Sequence, residues 1–416
     1  MTWPRRLGAV LAAVCTLVAA GGCSPKVSAP APENRPPAAL EPPFQGAAVL
    51  PPPDLTDAGP GSLVDATPME DDRDFDRANA VGVRVVYRST DSKGAPTNVS
   101  GIVAVPPGEP PMGGWPILAF GHDVTGVQKE CAPSVAQYLG GYAAIIADLV
   151  GRGYVVAMTD YQGLGLDGFQ HPLLDSTTLG KNMIDAVRAA RRVLPAASNR
   201  WAAFGLGQGG AAAWAADAQA QTYGTGLDLA GAVAVSPLAD VTGLADAAAD
   251  GTLAPAQFRL QMLAVASLAL SPTYKIDPND YFSDAAKNSY GNLTNCATVV
   301  DPVQAATAAA GLQPGDLKPK TPAAAEALRR DLQEMALPGP SKLSAPMLVI
   351  YATLDPEVLP AWTAQALQTA CQQGDPIEVK KIGDLSALNE IVLYDSMAWI
   401  QGRFGGQRAT NVCVGV

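Results

Sequence analysis

The sequence predicts an α/β protein: a mostly parallel β-sheet covered by helices on both faces, with a helical insertion late in the chain. Three observations carry this. Short, nearly continuous apolar runs at residues 115–120, 154–158, 201–204, 230–235 and 347–352 have the character of strands buried on both faces. Between two of them, residues 182–193 place Met183, Ile184, Ala186, Val187 and Ala190 on a helical period. Residues 238–345 then break the alternation of strand and helix with helical stretches alone.

The chain begins with a targeting pattern. Arg5 and Arg6 precede an apolar stretch, residues 7–20, that is too short for a comfortable membrane span and closes on Ala20-Gly21-Gly22-Cys23. Small residues directly before a cysteine resemble a bacterial lipobox. Residues 1–23 are therefore expected to be a lipoprotein signal peptide, cleaved before Cys23, whose thiol takes the lipid; an ordinary export signal is the plainer alternative. The expected address is the cell envelope, with the protein lipid-anchored to the outer face of the bacterial membrane. Residues 24–74, rich in Pro and Ala, read as a flexible tether. The folded domain is expected over 75–416, starting near Phe75.

Residues 81–87 are valine-rich with partial alternation, and 98–105 form a candidate hairpin partner. The run 115–120 stops at Gly121-His122-Asp123-Val124-Thr125-Gly126. A helix is expected over 141–150. The strand 154–158 leads into Asp160-Tyr161-Gln162-Gly163-Leu164-Gly165. After 347–352, the last strand is expected at 377–382 and a closing helix at 397–403. The insertion, with helical stretches at 257–270 and 323–335, is read as a cap over the carboxyl ends of the strands, where ligands of open α/β sheets bind. Within it Phe258, Leu260, Met262, Leu263, Val265 and Leu268 are apolar on more than one helix face. Cap core is the first reading, and the lining of an apolar, acyl-binding pocket the second.

A formal net charge of −11 argues against nucleic-acid binding. Setting aside Cys15 and Cys23, four cysteines remain: Cys131, Cys296, Cys371 and Cys413. An even number in an exported chain predicts two disulfides, with three pairings open. No spacing resembles a metal site, the chain has only two histidines, and no metal or cofactor is expected.

The chemistry concentrates in residues 201–214. An apolar run ends at Phe204, a glycine cluster follows, and an alanine-rich helix begins. This strand, turn and helix has the layout of the nucleophile elbow of α/β-hydrolases, G-x-S-x-G. The five positions here are Gly205, Leu206, Gly207, Gln208 and Gly209, so the nucleophile's slot holds glycine. Glycine adopts the strained angles of such a turn without steric cost but cannot attack a carbonyl. Gly205, Gly207 and Gly210 also spell G-x-G-x-x-G, the dinucleotide fingerprint. That reading requires an acidic residue at the end of the next strand, which instead ends Ala234-Val235-Ser236-Pro237.

With these pieces in order, the chain resembles the secretory lipases, α/β-hydrolases of fungi and actinobacteria. The resemblance runs from about residue 75 to the C-terminus. It rests on His122 to Gly126 followed by Cys131-Ala-Pro-Ser134, on the Asp160 to Gly165 segment, on Gly205 to Gly210, and on Trp399, Arg403 and Phe404 with Cys413. It implies the α/β-hydrolase fold, a cap, and a Ser, Asp, His triad in that order. It also implies the pairings Cys131–Cys296 and Cys371–Cys413. The implied nucleophile falls on Gly207. The implied acid falls on Asp355, in Leu354-Asp355-Pro356, and survives. The implied base falls near Leu385, and no histidine follows His171. The oxyanion region, His122, Asp123 and Gln208, departs as well: the family tends to read His-Gly-Thr where this chain reads His122-Asp123-Val124.

Serine hydrolysis needs a hydroxyl, a base and a group that holds the base, and two of the three are missing. Losing them costs on the order of 10⁶ in turnover, because the members act as a unit. His122 and His171 are the only replacement bases to weigh, and each would need the geometry rebuilt. The sequence thus predicts a pseudo-lipase of the cell envelope that binds a lipid, an acyl ligand under the cap, or a protein partner of unknown identity. The alternative is an active lipase or esterase working through a non-standard site.

Overall fold

The computed structural model describes residues 48–69, 73–297, 299, 301–383, 390–411 and 413. The signal segment with Cys23, residues 24–47 of the tether, and Leu385 lie outside the described residues.

Among the described residues, nine strands form one sheet: β1 (Leu63–Pro68), β2 (Val81–Thr90), β3 (Pro96–Val105), β4 (Trp115–Gly121), β5 (Val155–Thr159), β6 (Ala197–Leu206), β7 (Asp228–Val235), β8 (Met347–Ala352) and β9 (Ile377–Ile382). Their order across the sheet is β1-β2-β3-β5-β4-β6-β7-β8-β9. β1, β2, β3 and β5 pair antiparallel, the expected hairpin among them, and β5 through β9 pair parallel. The chain steps from β4 to one side for β5 and to the other for β6. The crevice at the carboxyl ends of β4 and β6 is therefore a topological switch point, where α/β sheets take ligands.

Eleven helices are assigned among the described residues: α1 (Arg73–Ala78), α2 (Ala143–Gly151), α3 (Ser176–Val193), α4 (Gln208–Ala220), α5 (Thr242–Asp250), α6 (Phe258–Leu270), α7 (Asp284–Thr294), α8 (Pro302–Ala310), α9 (Pro322–Met335), α10 (Pro360–Gln373) and α11 (Glu390–Phe404). The strand side chains alternate between two apolar layers, as a period of two demands. Ile117, Ala119, Val155, Ala157, Trp201 and Ala203 pack with α3 and α4 on one face. Leu118, Phe120, Val156, Met158, Ala202 and Phe204 pack with α2 and α11 on the other.

One boundary needs correcting. The tether was expected to reach residue 74, yet β1 runs from Leu63 to Pro68 against β2, and Leu50 and Leu63 are buried in the core. The proline run at residues 51–53 masks this. Proline breaks local periodicity, but it does not stop single apolar side chains on either side of it from being buried by contacts far along the chain.

The insertion between β7 and β8 carries α5 through α9. Phe258, Leu260, Met262, Leu263, Val265 and Leu268 all lie in the core, which favours the cap-core reading of that helix. The disulfides are Cys131–Cys296 and Cys371–Cys413. The first ties the loop after β4 to the end of α7 in the insertion.

Candidate active site: an emptied nucleophile elbow

β6 ends at Leu206, α4 starts at Gln208, and Gly207 between them has φ 52° and ψ −112°. That backbone is the sharp strand-to-helix turn of an elbow, costly for any residue with a Cβ. Two close approaches explain the flanking glycines, that of α4 to β4 at Gly209 and that of β6 to the first turn of α4 at Gly205. A Cβ on Gly209 would stand 2.0 Å from the Gly121 carbonyl oxygen, and one on Gly205 would stand 2.0 Å from that of Gly209. The turn is pinned to β7 by the Gly207 N–H, which donates to Val235 O at 2.9 Å.

The space that a side chain at 207 would enter is taken. A Cβ there would lie 1.9 Å from Asp123 Oδ1. The same oxygen accepts hydrogen bonds from the Val124 N–H at 2.7 Å and the Gln208 N–H at 3.2 Å. The N–H after the nucleophile position is the donor that an elbow offers to an oxyanion. Here a fixed carboxylate engages it and sets a negative charge where a second one would have to develop. Asp123 is open to solvent on one flank, while protein encloses the rest. That enclosure pushes its pKa up; the Val124 and Gln208 N–H groups and the nearby Arg259 pull it back, and Asp355 adds to the push. The open flank tempers the shift.

Both histidines are structural. His122 is buried; its Nδ1 donates to Asp123 O at 2.7 Å, its Nε2 faces Asp160 O at 3.4 Å, and burial pushes its pKa down to about 4. His171 Nδ1 donates to Gln162 O at 2.9 Å, which leaves Nε2 to accept from Gln208 Nε2 at 2.8 Å. Burial likewise pushes its pKa down to about 4. Rings held this way have no lone pair aimed at the 207 slot, and they are weak bases at neutral pH. Gln208, which the sequence placed in the oxyanion region, sends its side chain instead to His171 and Leu173 O.

Asp355 sits in the turn after β8, buried, with Oδ1 accepting from the Glu357 and Val358 N–H groups at 2.9 and 3.0 Å. Two residues that the sequence reading missed complete this end of the sheet. Arg259, on the first turn of α6, has its pKa lowered by burial, against the raising effect of Glu357 and Asp123. Glu357 is pushed up to about 7 by burial and then by Asp123, with Arg259 opposing. Neither stands in a recognisable motif; only the folding of the cap onto the strand ends brings them to the cleft.

The other carrying segments of the sequence serve packing. Asp160 is buried and accepts from Ser100 Oγ at 2.6 Å, the Ser134 N–H at 2.9 Å and Ser134 Oγ. Trp399 Nε1 donates to Glu378 Oε2 at 3.0 Å, and the Arg403 guanidinium lies over the Trp399 ring. A Cβ on Gly231 of β7 would stand 2.9 Å from both of these side chains. They lock α11 onto the sheet.

Fold and site together define an α/β-hydrolase whose elbow is built but carries no nucleophile. The chain belongs to the secretory lipase family, which residues 138–412 match. A protein from Mycobacterium tuberculosis named probable inactive lipase is 29% identical over 231 residues, which cover 52% of this chain and 49% of that one. The chain thus spans about half the length of this curated relative. Among solved structures, Candida antarctica lipase A in its closed state aligns with a TM-score of 0.68 at 17% identity, over 86% of this chain and 85% of that one. The rice cell wall degrading esterase LipA from Xanthomonas oryzae aligns with a TM-score of 0.63 at 20% identity, over 84% of this chain and all of that one. At these identities the likeness speaks for the fold.

Proposed function

We propose that this protein is a non-hydrolytic secretory-lipase homologue of the cell envelope. In this reading it is exported, anchored through a lipid on Cys23, and binds a lipid or acyl ligand instead of cleaving an ester. One observation carries the loss of hydrolysis: Asp123 Oδ1 stands where a side chain at Gly207 would begin and holds the Gln208 N–H that an oxyanion would need. Nucleophile and oxyanion stabilisation are then lost together, and neither neutral, hydrogen-bonded histidine replaces the base. The naming of the Mycobacterium tuberculosis relative as an inactive lipase agrees with this. Membership of a secretory family agrees with export.

The test is chemical. The purified protein is expected to show no covalent labelling by a fluorophosphonate probe and no p-nitrophenyl butyrate hydrolysis above buffer. Labelling that one point substitution abolishes would overturn the reading. In the same preparation, Cys23→Ala is expected to move the protein from the membrane to the soluble fraction, and native mass spectrometry is expected to find an acyl ligand bound.

A further inference from the structure

A cleft of about 580 Å³ opens between the tip of the β2–β3 hairpin, the segment 168–172, the start of α3 and the end of α6. Asp91, Lys93 and Asp175 are the charged residues of its walls, and Phe169, Tyr274 and Leu270 supply ring and aliphatic surface. His171 also lines it but brings no charge. Both its ring nitrogens are bonded, to Gln162 O and to Gln208 Nε2, and burial pushes its pKa down to about 4.

We propose that this cleft binds an aliphatic diamine, its two ammonium groups held by Asp91 and Asp175 and its methylene body covering Leu270. The proposal stands apart from the lipid-binding reading and from the emptied elbow.

The charges of the cleft do not balance. Lys93 pairs with Glu334 at 2.8 Å, so its ammonium already has a carboxylate of its own. Asp91 and Asp175 have no Lys or Arg side chain in an ion pair with them among the described residues. Lys181 comes near but is engaged elsewhere: its Nζ donates to the backbone O of Asp91 at 2.7 Å and lies over the Tyr223 ring. The bond to Glu334 first, and then the charges of Glu334, Asp175 and Asp91, hold the Lys93 ammonium above its ordinary range. Three carboxylates thus act on one ammonium, and two negative charges are left over.

The fold fixes both of them. Asp91 Oδ1 accepts from the Lys93 and Ala95 N–H groups at 2.9 and 2.8 Å, which shapes the hairpin turn and leaves Oδ2 without a hydrogen bond among the described residues. Asp175 accepts from Ser92 Oγ at 2.5 Å and from Thr178 N and Oγ1 at 3.1 and 2.8 Å. The Ser92 N–H donates to Thr178 Oγ1 at 2.8 Å. These bonds tie the hairpin tip to the start of α3 and bring both carboxylates to one cleft.

A metal ion suits this arrangement poorly. Both Asp175 oxygens are in hydrogen bonds, no three metal-ligating side chains gather among the described residues, and the space is far larger than an ion needs. An organic cation suits it well. Ammonium groups donate charge-assisted hydrogen bonds to carboxylates, aromatic faces attract them, and methylenes gain from covering leucine. A dication answers both leftover charges, whereas a monoamine leaves one unanswered.

The experiment titrates the full chain with cadaverine in low-salt buffer by calorimetry, with pentylamine, pentanediol and calcium chloride as comparisons. One-to-one saturable binding of cadaverine is expected, with pentylamine about tenfold weaker, pentanediol and calcium silent, and the affinity falling as salt is added. Two variants should move it in opposite directions while the thermal melt stays unchanged. Asp91→Asn keeps the oxygen that the turn needs and removes the charge, and should weaken cadaverine about tenfold. Lys93→Gln removes the competing ammonium and frees Glu334, and should tighten cadaverine severalfold. No binding of cadaverine, equal binding of pentylamine or calcium, or an affinity that neither variant changes overturns the site.

Discussion

At the elbow the backbone turns as in a hydrolase but Gly207 brings no side chain, whereas the turn after β8 carries a buried carboxylate, Asp355, where the family resemblance places the acid. The difference lies in what each side chain does for the fold. Asp355 accepts two backbone N–H bonds that shape its turn, so removing it leaves buried donors unpaired. A side chain at 207 has no such task. With φ at 52° it is a strain that glycine relieves, and Asp123 fills the room it leaves. This reading makes Asp355 a retained structural group and leaves nothing at the elbow for it to assist.

The comparison can be broken at either end. The largest effect is expected at the acid turn: Asp355→Ala should lower unfolding free energy by about 2 kcal/mol in urea titrations, while Asp355→Asn, still an acceptor, should lose less than half of that. Similar losses for Ala and Asn would mean that charge, not the turn bonds, is what Asp355 supplies. At the elbow, Gly207→Ser should cost about 1–2 kcal/mol, from the positive φ and the collision with Asp123. Combining it with Asp123→Ala should recover about 1 kcal/mol as a coupling term in a double-mutant cycle, and strict additivity would show that the two positions do not share space.

The smallest effect is a pH dependence at Glu357. Its folded pKa, about 7, lies above its ordinary 4.5. Between those values the native state holds more protons than the unfolded chain, so stability falls as pH rises through this window and levels off above it. Glu357→Gln should therefore flatten the slope between pH 5 and 7 and stabilise the protein at pH 8 by about 1 kcal/mol. An unchanged slope would remove Glu357 from the cleft's electrostatics.

Much of this could be read along the chain. β4 to β8 of the parallel part announced themselves as short apolar runs, because burial on both faces leaves few polar positions, whereas the edge strand β9 carries Glu378, Lys380 and Lys381. The elbow announced itself by glycines that only a close approach of α4 to β4 requires, and Gly207 by the missing hydroxyl. β1 did not, since six residues with one fully buried side chain carry too little alternation to see. Arg259 and Glu357 carried no local mark at all.

The sequence by itself determined the fold class, the emptied nucleophile slot and the absence of a late histidine, since these follow from residue type and short-range period. Only the tertiary structure decided what occupies that slot. Asp123 reaches the elbow N–H across 85 residues of chain, and its carboxylate turns there because the fold sets two N–H donors and an open volume beside it. The same holds for His171, whose neutral, locked ring is a product of burial and of bonds to Gln162 and Gln208. Residue identity states what a group can do; its surroundings, assembled from distant segments, set its charge, its partners and the room it has.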